Sequence, residues 1–205
     1  MTAVYNPHPA EWFRGAVLRL TGGEARGRRL KVPRGRLIRP TADRVREALF
    51  GILGARVPGG RFLDVYAGTG AVGCEALSRG AARVVFVERD RRALDLIEEN
   101  LKVGPWVGVG EIVAGNAVRC LRDLDRWRDR FDVIFLDPPY DETTLPEVLL
   151  LAARLLLSGG ALVVEHRSSR AIDAPAGAGV LAFRSYRYGD TTLTVGRAAT
   201  DVPRA

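Results

Sequence analysis

From residue 61 onward, short apolar runs alternate with amphipathic segments. RFLDVY (61–66), ARVVFVE (82–88), GEIVAG (110–115), FDVIFLD (131–137) and GALVVEH (160–166) are rich in Val, Ile and Phe and read as strands. Between them, the spacing predicts helices: one ending at about Ser78, then RRALDLIEENLK (91–102), AVRCLRDLDRW (117–127) and TLPEVLLLAARLL (144–156). In 91–102, Ala93, Leu94, Ile97 and Leu101 share one face. The segment LAFRSYRYGDTTLTVGR reads as two strands joined at Gly189-Asp190, a hairpin signal. Strand and helix in alternation, with continuous apolar strands, predict a parallel sheet covered on both faces. The expected fold class is α/β, doubly wound, a mostly parallel seven-stranded sheet with an antiparallel C-terminal hairpin.

The first third follows a different pattern. Residues 1–16 carry Pro7 and Pro9 and no period, and read as a loose arm. Residues 17–38 hold short β-prone pieces broken by Gly-Gly and Pro, which suggests a small hairpin. In ADRVREALFGIL (42–53), Val45, Leu49, Ile52 and Leu53 form one apolar stripe, with Thr41 as the expected cap. The expected organisation is an arm (1–16), a basic hairpin and helix (17–58), an α/β domain (59–198) and a short tail (199–205).

Charge sharpens that division. Residues 1–60 hold 12 Arg/Lys against 4 Asp/Glu, whereas 61–205 hold 19 against 20, so the net charge of +7 arises in the first third. Eleven of those cations lie between Arg14 and Arg46. Clustered Arg on an otherwise neutral domain points to nucleic-acid phosphate. The longest apolar run is interrupted by Arg154 and is too short to span a bilayer, and the N-terminus lacks the pattern of a secretory signal. Cys74 and Cys120 have no metal-ligand spacing and read as core fillers, and no metal site is expected. A cytoplasmic location is the default expectation.

The strand ends carry the candidate chemistry. DVYAGTGAVG places Gly68, Gly70 and Gly73 in G-x-G-x-x-G spacing between a strand and a helix, and Glu88 closes the next strand 20 residues after Gly68. That combination suits the ribose of an adenosine-type cofactor and fits a dinucleotide equally well. Asn116-Ala117 follows the third strand, where the amide suits either an adenine edge or a helix cap. DPPY (137–140) follows the fourth. An ionised Asp137 only accepts hydrogen bonds, Pro138 and Pro139 lack N–H groups and leave carbonyls outward, and Tyr140 offers a ring for stacking. Two acceptors beside a flat platform suit a planar base with an exocyclic amine. The corner does not by itself separate guanine from adenine.

DVYAGTGAVG with LDPPY resembles the class I S-adenosylmethionine (SAM) methyltransferases that act on exocyclic amines of bases. RLTGGEARGRRLKVP, RPTADRVREALFGIL and GCEALSRGA further resemble the RsmD family of small-subunit rRNA guanine-N2 methyltransferases, over about residues 17–196. The resemblance implies SAM as cofactor and one guanine of 16S rRNA as target (guanine 966 in standard rRNA numbering), on assembled or partly assembled small ribosomal subunits. It implies Asp64, Tyr66, Ala67, Gly68, Thr69 and Gly70 against the SAM amino-acid part, Glu88 on the ribose with Arg89 flanking adenine, and Asn116 and Ala117 at the adenine edge. Many related enzymes carry Asp where this chain has Asn116. Asp137 and the Pro138 carbonyl would hold the guanine amine, with Pro139 completing the corner and Tyr140 stacking on the base. Arg26, Arg28, Arg29 and Lys31 are expected on RNA phosphates, and Arg39, Thr41 and Arg44 nearer the target base. A monomer without an obligate protein partner is the default expectation.

Three other readings remain open at this point. They are an amine methyltransferase acting on adenine N6, a non-catalytic RNA-binding assembly factor, and an NAD-dependent oxidoreductase using the same glycine loop. The last leaves DPPY without a role.

Overall fold

The computed structural model describes residues 18–33, 40–106, 108–173 and 179–200, with the backbone alone at 40–42, 181 and 182. Its elements in chain order are β1 (Leu18–Arg19), β2 (Arg29–Leu30), α1 (Pro40–Leu53), β3 (Arg61–Val65), α2 (Ala71–Ser78), β4 (Arg83–Glu88), α3 (Arg91–Leu101), β5 (Gly110–Ala114), α4 (Ala117–Arg126), β6 (Phe131–Leu136), α5 (Leu145–Arg154), β7 (Leu156–Arg167), β8 (Val180–Tyr188) and β9 (Thr191–Ala198). β1 and β2 form a separate antiparallel pair, and the other seven strands make one sheet in the order β5-β4-β3-β6-β7-β9-β8. β5 through β7 run parallel, and β9 and β8 add antiparallel. The fold is therefore the expected Rossmann-like α/β architecture with its C-terminal hairpin. The chain order reverses between β3 and β6, the switch point beyond whose carboxyl ends ligands bind in such sheets.

The strand period of two sorts side chains between two cores. Phe62, Val84, Phe86, Val133, Phe135 and Val163 face the side of α1, α2 and α3. Leu63, Val65, Val85, Ile134, Leu136 and Val164 face α4 and α5. The described N-terminal segment shares the first core, since Leu18, Leu20, Leu30, Val45 and Leu49 are buried within it. It is also held there by polar bonds. Glu75, fully buried on α2, accepts from the Thr21 N–H and hydroxyl at 2.8 Å each, from Arg79 Nε at 2.8 Å and from Arg46 Nε at 3.3 Å. Cys74 and Cys120 are both buried, one in each core.

Two expectations require correction. α1 begins at Pro40, so Thr41 lies inside the first turn and does not cap the helix. Proline suits that first position because its missing N–H would have had no helical partner. β7 begins at Leu156, four residues before the expected start, through a register shift opposite Phe131 and Val133. The Ser-Gly-Gly punctuation there marks an irregular strand rather than a turn.

Candidate active site

Asp64, Asp137 and Glu165 fall on one face of the sheet because each continues the parity of Phe62, Phe135 and Val163. They open into a groove along the carboxyl ends of β3, β4, β6 and β7. One lobe, of about 630 Å³, is lined by Glu88, Arg89, Asn116, Ala117, Pro138 and Pro139. The other, of about 690 Å³, is lined by Asp64, Ala67, Thr69, Val45, Glu165 and Thr191. Tyr66, Gly68, Asp137 and Tyr140 line both, so the lobes meet at the DPPY corner. Of the expected cofactor residues, all but Gly70 line this groove, and Gly70 opens α2 beneath it.

The glycine loop has three different reasons for its three glycines. Gly68 has φ 56°, and a Cβ there would find no atom nearer than 4.0 Å, leaving its face open to a ligand. Gly70 is the left-handed N-cap of α2. A Cβ on Gly73 would lie 2.1 Å from the Phe86 ring, so this glycine lets α2 pack directly on β4. Asp64 accepts from the Gly73 N–H at 2.8 Å and thereby ties β3 to α2. Burial, with Asp137 and Glu88 adding repulsion, holds its carboxyl well above the ordinary carboxylate range despite that bond. Tyr66 takes φ 63° at the end of β3, a conformation that β-carbon sterics disfavour and that tends to mark functional turns.

Glu88 is held by the backbone. Its side chain accepts from the Gly68 N–H (2.8 Å), the Arg89 N–H (2.7 Å) and the Asp90 N–H (2.8 Å), so it is oriented and joined to the glycine loop. Asn116 is the N-cap of α4, its Oδ1 accepting from the Val118 N–H at 2.9 Å. The cap reading is thus realised, and one oxygen lone pair and the amide N–H groups remain for the groove.

At the corner, Asp137 is exposed, Pro138 buried and Tyr140 67% exposed. The Arg167 guanidinium lies 3.9 Å from the Tyr140 ring centroid, so one ring face is occupied and the other is open. Arg170 Nη1 reaches the Tyr140 carbonyl at 3.4 Å.

The basic residues divide. Arg26, Arg28, Arg29 and Arg44 are exposed, with Arg28 reaching the Val103 carbonyl. Lys31 pairs with Glu99 at 2.5 Å, and Lys102 pairs with the same carboxylate at 2.6 Å, which lowers the Glu99 pKa to about 2. Arg46 is buried against Glu75, Asp43 and the Arg19 carbonyl and belongs to the core. Arg39 and the Thr41 side chain lie outside the described residues.

Three participants escaped the sequence reading. Glu165 and Arg167 end β7, and Asn100 on α3 bridges to the glycine loop. Glu165 carried a usable signal, an acid closing an apolar run as Glu88 does. Asn100 and Arg167 carried none, because their partners are distant in sequence.

A seven-stranded Rossmann-like sheet with a glycine loop, an acid closing β4 in the groove and a DPPY corner defines the class I SAM-dependent methyltransferase fold. Residues 18–197 match the family model described as "Conserved hypothetical protein 95", and the chain belongs to that family, the RsmD family. Among its relatives, Bacillus subtilis YlbH, provisionally described as an rRNA methyltransferase, is 36% identical over 181 residues, covering 87% of this chain and 97% of that protein. Ribosomal RNA small subunit methyltransferase D of Escherichia coli K12 is 38% identical over 134 residues, 65% of this chain and 66% of that one. The solved structure of Escherichia coli yhhF, provisionally described as a methyltransferase, superposes with a TM-score of 0.76 at 31% identity, covering 91% of this chain and all of that chain.

Proposed function

We propose that this chain methylates the exocyclic N2 amine of a single guanine in 16S rRNA, guanine 966 in standard rRNA numbering, using SAM, on assembled or partly assembled small subunits. The observation that carries this reading is that Asp137 and Tyr140 line both lobes of the groove, between the Glu88 end and the Glu165 end, with Pro138 beside them in the Glu88 lobe. The family relationship to small-subunit rRNA methyltransferases supports the substrate class.

The residues present fit the cofactor. Glu88 is preset by three backbone N–H groups to accept from ribose hydroxyls, and the open face of Gly68 admits close approach. Asn116 and the Ala117 N–H offer an acceptor and a donor to an adenine edge, with Arg89 alongside. The carboxyl groups of Asp64, Glu88 and Asp137 line the groove, an acceptor-rich surround that suits a cation.

SAM supplies an already activated methyl on a sulfonium, so the protein's task is alignment and charge stabilisation. Asp137 and the Pro138 carbonyl accept from the two amine N–H groups. This draws the nitrogen lone pair out of conjugation with the ring and aims it at the methyl. Asp137 also stabilises the positive charge that develops on nitrogen. Tyr140 stacks its open face on the base, with Arg167 behind the ring. The base leaves its own stack to reach this corner. Arg26, Arg28 and Arg29 contact phosphates from the basic segment 17–58, with Arg39, Thr41 and Arg44 nearer the extruded base and Lys31 available once Glu99 yields.

The test incubates the purified protein with labelled SAM and unmodified small subunits, with naked rRNA and DNA in parallel, and identifies the labelled nucleoside by mass spectrometry. N2-methylguanosine on the subunit is expected. Methyladenine, label on DNA alone, or no transfer would overturn the reading.

A further inference from the structure

Asp137 and Glu165 each stand one residue beyond the last paired residues of adjacent parallel strands, Leu136 and Val164. Extending that register sets them opposite one another, at the interstrand spacing of about 4.8 Å, on the same face of the sheet. Both line the lobe that also holds Tyr140, Thr191 and the basic helix α1 through Val45, Arg46 and Leu49. The floor of the base-binding lobe is therefore two carboxylates side by side, with an aromatic ring at its edge.

Resting on the guanine-N2 reading above, we infer that Glu165 is the residue that selects guanine over adenine, by accepting from the guanine N1–H while Asp137 accepts from N2. Guanine presents its N2–H and N1–H donors in a row, which matches two adjacent acceptors. Adenine presents an amine next to N1, an unprotonated acceptor. Seated with its amine at Asp137, adenine turns N1 toward Glu165, and acceptor meets acceptor once that carboxyl is ionised. DPPY satisfies an exocyclic amine of either base, so discrimination needs this second contact.

Without a bound base, Glu165 favours its protonated form. Burial first, and Asp137 second, push the Glu165 carboxyl up to about 8. Among the described residues, its titratable cavity neighbours are Asp64, Asp137, Asp190, Tyr66, Tyr140 and Arg46. Arg46 is the one cation among them and is already held by Glu75 and Asp43. Donors from a bound guanine would favour the ionised form.

The test compares kcat/KM on small subunits reconstituted with guanine or 2-aminopurine at the target position. 2-Aminopurine keeps the N2 amine and replaces N1–H with an acceptor. Measured above the pH where Glu165 titrates, about 8, wild type should prefer guanine by at least about 100-fold. Glu165→Gln can turn its amide N–H toward N1, so the preference should shrink to within about tenfold while SAM affinity changes less than about threefold. Equal use of both bases by wild type overturns the inference, even if the variant fails to fold. An unchanged preference in a folded Glu165→Gln overturns it too, and if SAM affinity then falls sharply Glu165 is a counter-charge for the cofactor. Wild type that makes N2-methylguanosine yet gives either result loses only this inference. Wild type that makes none loses the proposed function as well.

Discussion

The buried Asn100 amide donates to the Thr69 carbonyl at 2.8 Å, and so one side chain of α3 holds the middle of the glycine loop. The same amide donates to the Lys31 carbonyl at 3.0 Å, and its Oδ1 accepts from the Lys31 N–H at 2.6 Å. Cofactor loop and basic segment thus share a single anchor. Asn100→Ala leaves buried backbone groups of both without partners. It should cost about 2–3 kcal/mol of stability and weaken SAM binding together. Chemical denaturation and calorimetry measure the two; loss of stability with SAM affinity unchanged would show that the loop does not depend on Asn100.

Arg46 and the exposed arginines should behave differently. Arg46→Ala leaves buried Glu75 with only Thr21 and Arg79, and should destabilise by about 3 kcal/mol. Arg26→Ala and Arg29→Ala should leave stability within about 0.5 kcal/mol. Each should instead weaken RNA binding and flatten its dependence on log salt by roughly one. Binding titrations at several salt concentrations, alongside unfolding curves, distinguish the two classes.

Asp137→Ala should lower turnover by about 100-fold or more while SAM affinity falls much less, because its proposed contact is with the reacting amine. Single-turnover kinetics with calorimetry measure both. Equal losses would place Asp137 among the cofactor contacts instead.

Glu165 also makes a prediction about folding alone. Its carboxyl titrates near 8 when folded, above the ordinary carboxylate value, so the folded state holds the proton more tightly. That contribution is therefore undiminished at low pH and is lost as pH rises from about 4.5 to about 8. The cavity neighbours Asp137, Asp64, Asp190, Tyr66, Tyr140 and Arg46 stay in place in Glu165→Gln. The variant should gain stability relative to wild type as pH rises through that window, and the difference should level off above it. A difference independent of pH between 5 and 9, measured by denaturant unfolding, would contradict the raised pKa.

The carboxyl-lined groove predicts proton release on cofactor binding. Asp64 holds its proton more tightly than an ordinary carboxyl, and a sulfonium cation favours its charged form. SAM should release more protons than its uncharged-sulfur product, S-adenosylhomocysteine. Calorimetry in buffers of different ionisation enthalpy counts them, and equal release by both ligands would speak against the groove sensing the sulfonium.

The sequence by itself determined the α/β class, the strand ends that carry Asp64, Glu88, Asn116 and DPPY, and the concentration of charge in the first third. These are local properties. Period-two and period-3.6 patterns follow from backbone geometry, and a Gly-rich or Pro-Pro corner needs no distant partner to be recognised. Tertiary structure decided what depends on register and packing between elements. Only the β6–β7 pairing sets Glu165 opposite Asp137. Only the packing of α2 under the N-terminal segment turns Arg46 from one of eleven clustered cations into the buried partner of Glu75. Only the approach of β7 to the DPPY corner puts Arg167 on Tyr140. Those partners lie roughly thirty residues apart, and no local pattern encodes which residues across such a gap will meet.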